Sequence, residues 1–452
     1  MDKKQNITPR FAAVQCLLDL KKEKRSAKQV LEKMLAKNSM SSRDRQLAHT
    51  LVFGVLRNRQ YLDHLIISIS EKPIKKIHPV VYQAISSGLF QVFCLDRIPE
   101  PAAVNESLNV LKKYGLPKRL TGFANWLLRE SIRKAETLPS PVIPQKKDDI
   151  LNHPKWLCER WERNYTTKKM VEICATNATV PKLALRVNEL LTTPEKYLEL
   201  LKKNGIESRS GRYAPGTIIL ENYRGRIEEL PEYDKGFFNV QDQAAQLAGL
   251  LLSPLVNNGL YLDACAGLGG KTLHILERLP RVQGQLVALE PSSYRFNKLQ
   301  HNLSRAGISG FIKTLQMDIE SFQQKKPALF DGIFIDAPCS GTGVIRKQPD
   351  IRWSRQEKDL AKYSQQQLDI LKCGAQMLKT GGLLVYATCS IEPEENQQVI
   401  TTFLRGNPNY VLTPCQDHLP AACHEIINDN CLSPLPGEEM DGFFAARLMR
   451  VN

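Results

Sequence analysis

Gly259-Leu260-Tyr261-Leu262-Asp263-Ala264-Cys265, followed without a break by Ala266-Gly267-Leu268-Gly269-Gly270-Lys271-Thr272, is the stretch that decides the fold. The first seven residues read as a buried strand and the next seven as a glycine turn opening a helix that runs to about residue 279. Glycines at a strand-to-helix turn let the backbone approach a ligand and leave amide N–H groups free at the helix N-terminus. A second strand, residues 285–290, ends in Glu290, where a carboxylate can accept hydrogen bonds from two ribose hydroxyls. A third, residues 313–317, is followed by Asp318, which suits the edge of an adenine or caps the next turn. The loop does not fit the phosphate-binding pattern G-x-x-x-x-G-K-[ST]. Together with Asp336, these acids would repel a pyrophosphate, so an adenosyl cofactor without phosphates is favoured over a dinucleotide.

From residue 236 onward, short apolar strands alternate with amphipathic helices, the rhythm of a doubly wound α/β sheet. The fourth strand, residues 330–336, runs into Asp336-Ala337-Pro338-Cys339-Ser340-Gly341. The fifth, residues 382–387, runs into Thr388-Cys389-Ser390. Carboxyl ends of neighbouring strands face the ligand crevice in such a sheet, so both thiols are expected beside Asp336 and the cofactor. Either cysteine alone reads as core; two in polar, glycine-rich turns do not. Such a set suits attack on a cytosine, whose carbon 5 is too poor a nucleophile to take a methyl directly. Thiolate addition at carbon 6 makes carbon 5 reactive, and a group such as protonated Asp336 would meet the charge developing at N3.

Upstream, residues 1–135 carry apolar positions at helical spacing and read as a helical bundle, with Ser41-Ser42-Arg43-Asp44 as one helix start. Pro139, Pro141 and Pro144 mark a linker, and residues 150–236 read as a small α/β module. The expected domains are 1–145, 150–236 and 237–452. Residues 1–150 hold 27 Lys/Arg against 14 Asp/Glu, whereas the rest hold 35 against 33. A basic part joined to a near-neutral part suggests one that holds a polyanion and one that does chemistry. Met1-Asp2-Lys3-Lys4-Gln5 shows no secretory signal, and no apolar run is long enough to span a bilayer, so a cytoplasmic protein is expected. The eleven cysteines lack regular spacing and read as reduced. The cluster Cys415, His418, Cys423, His424 and Cys431 has one C-x-x-H and no matching second pair, so incidental thiols are favoured over zinc.

Asp336-Ala337-Pro338-Cys339-Ser340 and Thr388-Cys389-Ser390 resemble the paired motifs of the RNA (cytosine-5) methyltransferases, the Nol1/Nop2/Sun family. Residues 346–353, Pro393-Glu394-Glu395-Asn396 and Asp441-Gly442-Phe443-Phe444 match it as well. The resemblance extends to a helical NusB-like RNA-binding module, carried by residues 98–106 and by Gly122-Phe123-Ala124-Asn125-Trp126-Leu127-Leu128-Arg129. It implies a NusB-like bundle, a small RNA-binding module and a Rossmann-like class I methyltransferase domain. It further implies S-adenosyl-L-methionine as cofactor and 16S ribosomal RNA as substrate. Cys389 would be the nucleophile, and Cys339 would assist release of the methylated base. Cys265, Ala266, Gly267, Leu268, Gly269, Gly270, Lys271, Glu290, Asp318 and Asp336 would line the cofactor pocket. The family's loop usually reads Cys-Ala-Ala-Pro-Gly-Gly-Lys; Gly267-Leu268 replace Ala-Pro here, which loosens the turn and removes proline's fixed φ.

Four other readings compete. A transfer RNA enzyme would use the same chemistry. A non-catalytic ribosome-assembly factor would have no use for two strand-end thiols. An exocyclic amine methyltransferase would need an (Asn/Asp)-Pro-Pro-aromatic turn where Asp336-Ala337-Pro338-Cys339 stands. A DNA cytosine enzyme would take its nucleophile from a Pro-Cys turn alone, so no DNA is expected. No motif calls for a protein partner or a metal. Arg346, Lys347, Arg352 and Trp353 are candidate phosphate and stacking contacts to RNA, or else a solvated loop with a core tryptophan.

Overall fold

The computed structural model describes residues 7–20, 22–23, 25–141, 143–279, 282–308 and 312–452, so Met1-Asp2-Lys3-Lys4-Gln5 lies outside the described residues. Its contacts divide the chain into two compact units. One comprises the residues up to Val180 together with Ile345–Arg355; the other comprises Pro181–Val344 and Gln356–Asn452.

The first unit is helical: α1 (Pro9–Asp19), α2 (Ala27–Ala36), α3 (Ser42–Arg57), α4 (Arg59–Ser70), α5 (Pro79–Cys94), α6 (Glu100–Lys113), α7 (Lys118–Arg133), α8 (Lys155–Asn164) and α9 (Thr167–Ala178). The expected start at Ser41 holds: its hydroxyl accepts from Asp44 N at 3.1 Å, satisfying one of the orphan amides of α3. Helix α5 is apolar nearly all round, with an unbroken buried run from Val81 to Gln91, and so takes the centre of the bundle. Its neighbours α1, α3, α6 and α7 pack around it. Helices α8 and α9 fall within the expected middle module by sequence, but by contact they belong to this unit.

Residues 345–355 overturn the RNA-contact reading of Arg352 and Trp353. Arg352 is 1% exposed and donates to the carbonyls of Asn152 and Asn177, each at 2.9 Å. Trp353 donates from Nε1 to Leu56 O at 2.6 Å, and Arg59 lies 5.1 Å over its ring. Leu56 and Asn177 sit in the last turns of α3 and α9, where carbonyls lack intrahelical donors and the helix dipole is negative. A guanidinium and an indole N–H answer that need inside the protein, which buries Arg352 and leaves Trp353 half-buried against the bundle core. Arg346 is buried too, and Lys347 is half-buried.

The second unit holds two sheets. The smaller one is antiparallel, in the order β2-β3-β1-β4, from β1 (Leu183–Val187), β2 (Ser208–Ser210), β3 (Thr217–Leu220) and β4 (Phe238–Val240), with α10 (Pro194–Lys203) between β1 and β2. The chain continues through α11 (Gln243–Leu250), β5 (Leu260–Asp263), α12 (Gly270–Leu276), β6 (Gln285–Leu289), α13 (Ser293–Arg305), β7 (Ile312–Leu315), α14 (Ile319–Gln323) and β8 (Phe330–Asp336). After α15 (Ile351–Ser354) in the returning segment come α16 (Asp359–Gln376), β9 (Leu378–Thr388), α17 (Gln397–Gly406), β10 (Tyr410–Thr413), β11 (Ile427–Asn428), β12 (Cys431–Leu432) and β13 (Phe444–Arg450).

The larger sheet runs β11-β12-β13-β9-β8-β5-β6-β7, and β10 pairs with β13. Strands β5 to β9 are parallel to their neighbours, while β13 is antiparallel to β9. The strand order reverses between β5 and β8, which puts a switch point where the glycine turn and the Asp336 turn emerge side by side. Buried Arg186 of β1 pairs with Glu277, just past α12. Arg305 of α13 donates to Asn239 Oδ1 at 2.6 Å. The small sheet therefore braces the helices that follow the cofactor loop. Among the described residues, no helix is long and apolar enough to cross a membrane.

Candidate active site

At the end of β5, Asp263 is buried, accepting from Thr272 Oγ1 at 2.6 Å and from Cys265 N at 3.3 Å. This carboxylate ties the strand end to the first turn of α12 and shapes the loop between them. Burial pushes its pKa up to about 6. In the loop, Gly267 and Gly269 take φ of 58° and 90°, a region that costs any other residue strain. Leu268 stands 48% exposed with its carbonyl accepting from Asn302 Nδ2 at 2.8 Å. A Cβ built on Gly270 would meet nothing within 4 Å, so the N-terminal amides of α12 stay open to a ligand. Ala266 is buried, and burial raises the Cys265 thiol pKa above its ordinary range.

Glu290, one residue past β6, is 2% exposed. Its Oε1 accepts from Ser292 N at 2.7 Å and from Arg295 Nε at 3.0 Å, while Oε2 makes no bond among the described residues. Asp318 lies three residues beyond β7 rather than at its end. It caps α14, with Oδ1 accepting from Ser321 N at 2.7 Å, and that bond holds its pKa down. The capping role weighed from sequence is therefore filled, using one of its two oxygens. Asp336, the last residue of β8, accepts from Lys271 Nζ at 2.7 Å. The ammonium also lies 5.3 Å over the Phe443 ring. Burial pulls the Lys271 pKa down, but the Asp336 carboxylate outweighs it and the net displacement is upward.

Cys339 and Cys389 meet with Sγ···Sγ at 3.2 Å. Both are half-buried and free of disulfides. The hydrogen bond to Cys389, then burial, raise the Cys339 pKa well above the ordinary thiol range. Either sulfur can donate across this contact, so the pair shares a proton between the two strand ends.

Sequence reasoning missed what holds the two turns together. Fully buried Glu395 accepts from Ser340 N at 2.8 Å, from Ser340 Oγ and Ser390 Oγ at 2.5 Å each, and from Gln367 Nε2 at 2.9 Å. One carboxylate thereby clamps the residues that directly follow both cysteines. The seryl oxygens are 3.1 Å apart, and Tyr386 donates to Glu395 O at 2.6 Å. Gly343 and Gly442 close the other side: Gly343 N donates to Cys389 O at 3.0 Å and Gly442 N to Gly343 O at 2.9 Å. A Cβ on Gly343 would lie 2.1 Å from Gly442 O, so only glycine permits this approach. Signals were present in the motifs around Glu395 and Gly442, but only as pattern, without a partner to pair them with. In the cluster weighed for zinc, the Cys415 thiol donates to Ala445 O and the Cys423 thiol to Tyr213 O, each at 3.8 Å. Among the described residues, no group of three or more His, Cys, Asp or Glu is placed to hold a metal.

A parallel sheet reversing at β5 and β8, with an antiparallel strand beside β9, is the fold of a Rossmann-like class I methyltransferase. Residues 250–449 match the family model described as 16S rRNA methyltransferase RsmB/F. Residues 7–133 match the NusB family, and residues 153–225 the ferredoxin-like domain of RsmF/B-like methyltransferases. The chain is 35% identical over 456 residues to the ribosomal RNA small subunit methyltransferase B of Salmonella paratyphi B, covering 99% of this chain and 100% of that one. It is 30% identical over 451 residues to the probable ribosomal RNA small subunit methyltransferase B of Bacillus subtilis, covering 98% of each. A crystal structure of a methyltransferase homolog protein from Pyrococcus horikoshii shares the fold with a TM-score of 0.56 and 25% identity, over 67% of this chain and 96% of that one. The chain belongs to the RsmB/F family of 16S rRNA methyltransferases, with a NusB-like domain ahead of its methyltransferase domain.

Proposed function

We propose that this protein transfers a methyl group from S-adenosyl-L-methionine to carbon 5 of a cytosine in 16S ribosomal RNA, through a covalent bond between Cys389 and carbon 6. The observation that carries the reading is the 3.2 Å pair of thiols at the ends of neighbouring strands, beside Asp336. The residues around the glycine turn fit the cofactor: open amides at α12, the unengaged Oε2 of Glu290 for the ribose, and Asp318 toward the base. When bound, the cofactor supplies the electrophilic methyl group.

The chain's own residues do the rest. Cys389 adds as a thiolate to carbon 6, opening the carbon 5–carbon 6 double bond and sending charge toward N3. Asp336 faces N3, and its bond to the Lys271 ammonium gives the pair a proton to pass toward the ring as that charge builds. Once carbon 5 is methylated, its proton passes to solvent, and the electron pair left behind re-forms the carbon 5–carbon 6 double bond as the carbon 6–sulfur bond breaks. Cys389 leaves as a thiolate, and any proton taken up at N3 returns to the Asp336–Lys271 pair. Cys339 lies where it can assist that departure. Residues 1–145 and 150–236 hold the RNA and residues 237–452 perform the chemistry.

The test is transfer of label from the cofactor to unmodified small-subunit rRNA by wild type, Cys389→Ala and Cys339→Ala. Labelled 5-methylcytosine, lost in Cys389→Ala and replaced in Cys339→Ala by a protein–RNA adduct on denaturing gels, supports the reading. Labelling of transfer RNA alone would move the substrate and keep the chemistry. Cofactor binding with no labelled RNA would favour an assembly factor.

A further inference from the structure

We propose that the outer face of α7 is a stacking platform for single-stranded RNA, with Trp126 as the surface on which an unpaired base lies. The inference rests on the RNA substrate proposed above and names the surface that grips it. Trp126 is 46% exposed, although tryptophan ordinarily buries its large ring. It stands on the face opposite buried Ala124, Leu127, Leu128 and Ser131, so its exposure follows from its place on the helix. Phe123, one turn earlier, lies 6.0 Å from it between centroids and carries Lys72 at 4.9 Å over its ring. Gly122, four residues before Trp126, leaves the neighbouring surface bare, since a Cβ there would meet nothing within 4 Å.

The charge around this pair of rings points to a polyanion. Along α7 there are Lys118, Arg119, Arg129 and Arg133 against a single acid, Glu130, which Arg133 and Lys134 already neutralise. Lys72, Lys75 and Lys76 lead away from Phe123 on an adjoining segment. Among the described residues, Lys72, Lys75, Lys76, Lys118 and Arg119 are exposed and form no ion pair. A partner protein would want a broader apolar area than one indole and part of a phenyl ring. Unpaired bases want an exposed aromatic face flanked by cations that reach the phosphates.

The experiment uses the full chain and a labelled single-stranded fragment of small-subunit rRNA, with affinity measured across a salt series. Trp126→Ala should weaken binding roughly tenfold with the salt slope unchanged, and Trp126→Phe should restore most of it. A Lys72→Ala/Arg119→Ala double variant should flatten the slope of log affinity against log salt by about 1.4, or ~0.7 per lost phosphate contact. Wild-type affinity and slope in both the alanine variant and the double variant would overturn the proposal. If the wild type still methylates rRNA in that case, the enzymatic reading stands and only the surface falls. If the wild type neither binds nor methylates rRNA, both fall. A wild-type dimer in sedimentation that Trp126→Ala dissociates, with RNA affinity unchanged, would also overturn it and give the face to a second copy.

Discussion

At the scale of single residues, the site depends on two buried carboxylates with opposite tasks. Glu395 satisfies two hydroxyls, a main-chain amide and a side-chain amide at once, which sets the spacing of the two cysteine turns. Glu395→Ala takes the acceptor from all four donors and should cost ~3–5 kcal/mol, with methyl transfer lost. Glu395→Gln keeps the size and one acceptor oxygen, so it should fold, with Tm lowered less. Its thiol spacing should be disturbed, read as slower adduct formation on a Cys339→Ala background; an unchanged adduct rate would make Glu395 a stability device only. Asp263 instead is held against its charge. Its pKa rises from 3.8 to about 6, so the folded state favours the protonated form. That contribution is fully present below pH 4 and is lost as pH rises through about 6, a swing of ~2–3 kcal/mol. Asp263→Asn should therefore gain Tm relative to wild type between pH 4 and 7, with the gain level above that. A gain independent of pH would remove burial of the charge as its cause.

At the scale of elements, the segment 345–355 changes meaning most between sequence and structure. Four polar or aromatic residues in one loop look like a nucleic-acid grip, and no local signal distinguishes that from a plug for helix ends. As Trp353 does at the end of α3, Arg352 serves the end of α9 because terminal carbonyls need donors. Burial pulls its guanidinium pKa down to about 9, a cost accepted for those bonds. Arg352→Ala should lower stability by ~2–4 kcal/mol, read as a fall in Tm of the first unit, while the salt slope of RNA binding stays at its wild-type value. A flattened slope with unchanged Tm would return Arg352 to the RNA. Strand ends behaved differently. β5, β6 and β8 lie where their apolar runs predict, because a parallel strand buried on both faces has an unmistakable composition. β13 was missed, although it pairs with the whole inner half of β9 and begins directly after Phe443, whose ring lies beside Lys271. An antiparallel strand added beside a parallel sheet declares itself only through the strands it joins.

At the scale of the whole molecule, the uneven charge predicts how RNA is held. The 27 Lys/Arg against 14 Asp/Glu of residues 1–150 should make rRNA affinity fall steeply with added salt, while affinity for the uncharged-face ligand, an adenosyl analogue, stays nearly flat. Equal salt responses would remove the division of labour between the basic and near-neutral parts. Much of the site was legible beforehand. Cys339, Cys389, Asp336 and the loop from Cys265 to Lys271 stand at carboxyl ends of parallel strands, and in a doubly wound sheet that position alone brings them to one crevice. What the sequence by itself determined is the sheet, its glycine turn and the nearness of the two thiols, because strand periodicity and strand ends are local properties. Tertiary structure alone decided that Glu395 and the Gly343–Gly442 contact hold the two thiols, and that Arg352 is buried while Trp126 is not. Those outcomes depend on hydrogen bonds and close approaches between residues distant in the chain, and on which side of a helix the core happens to lie.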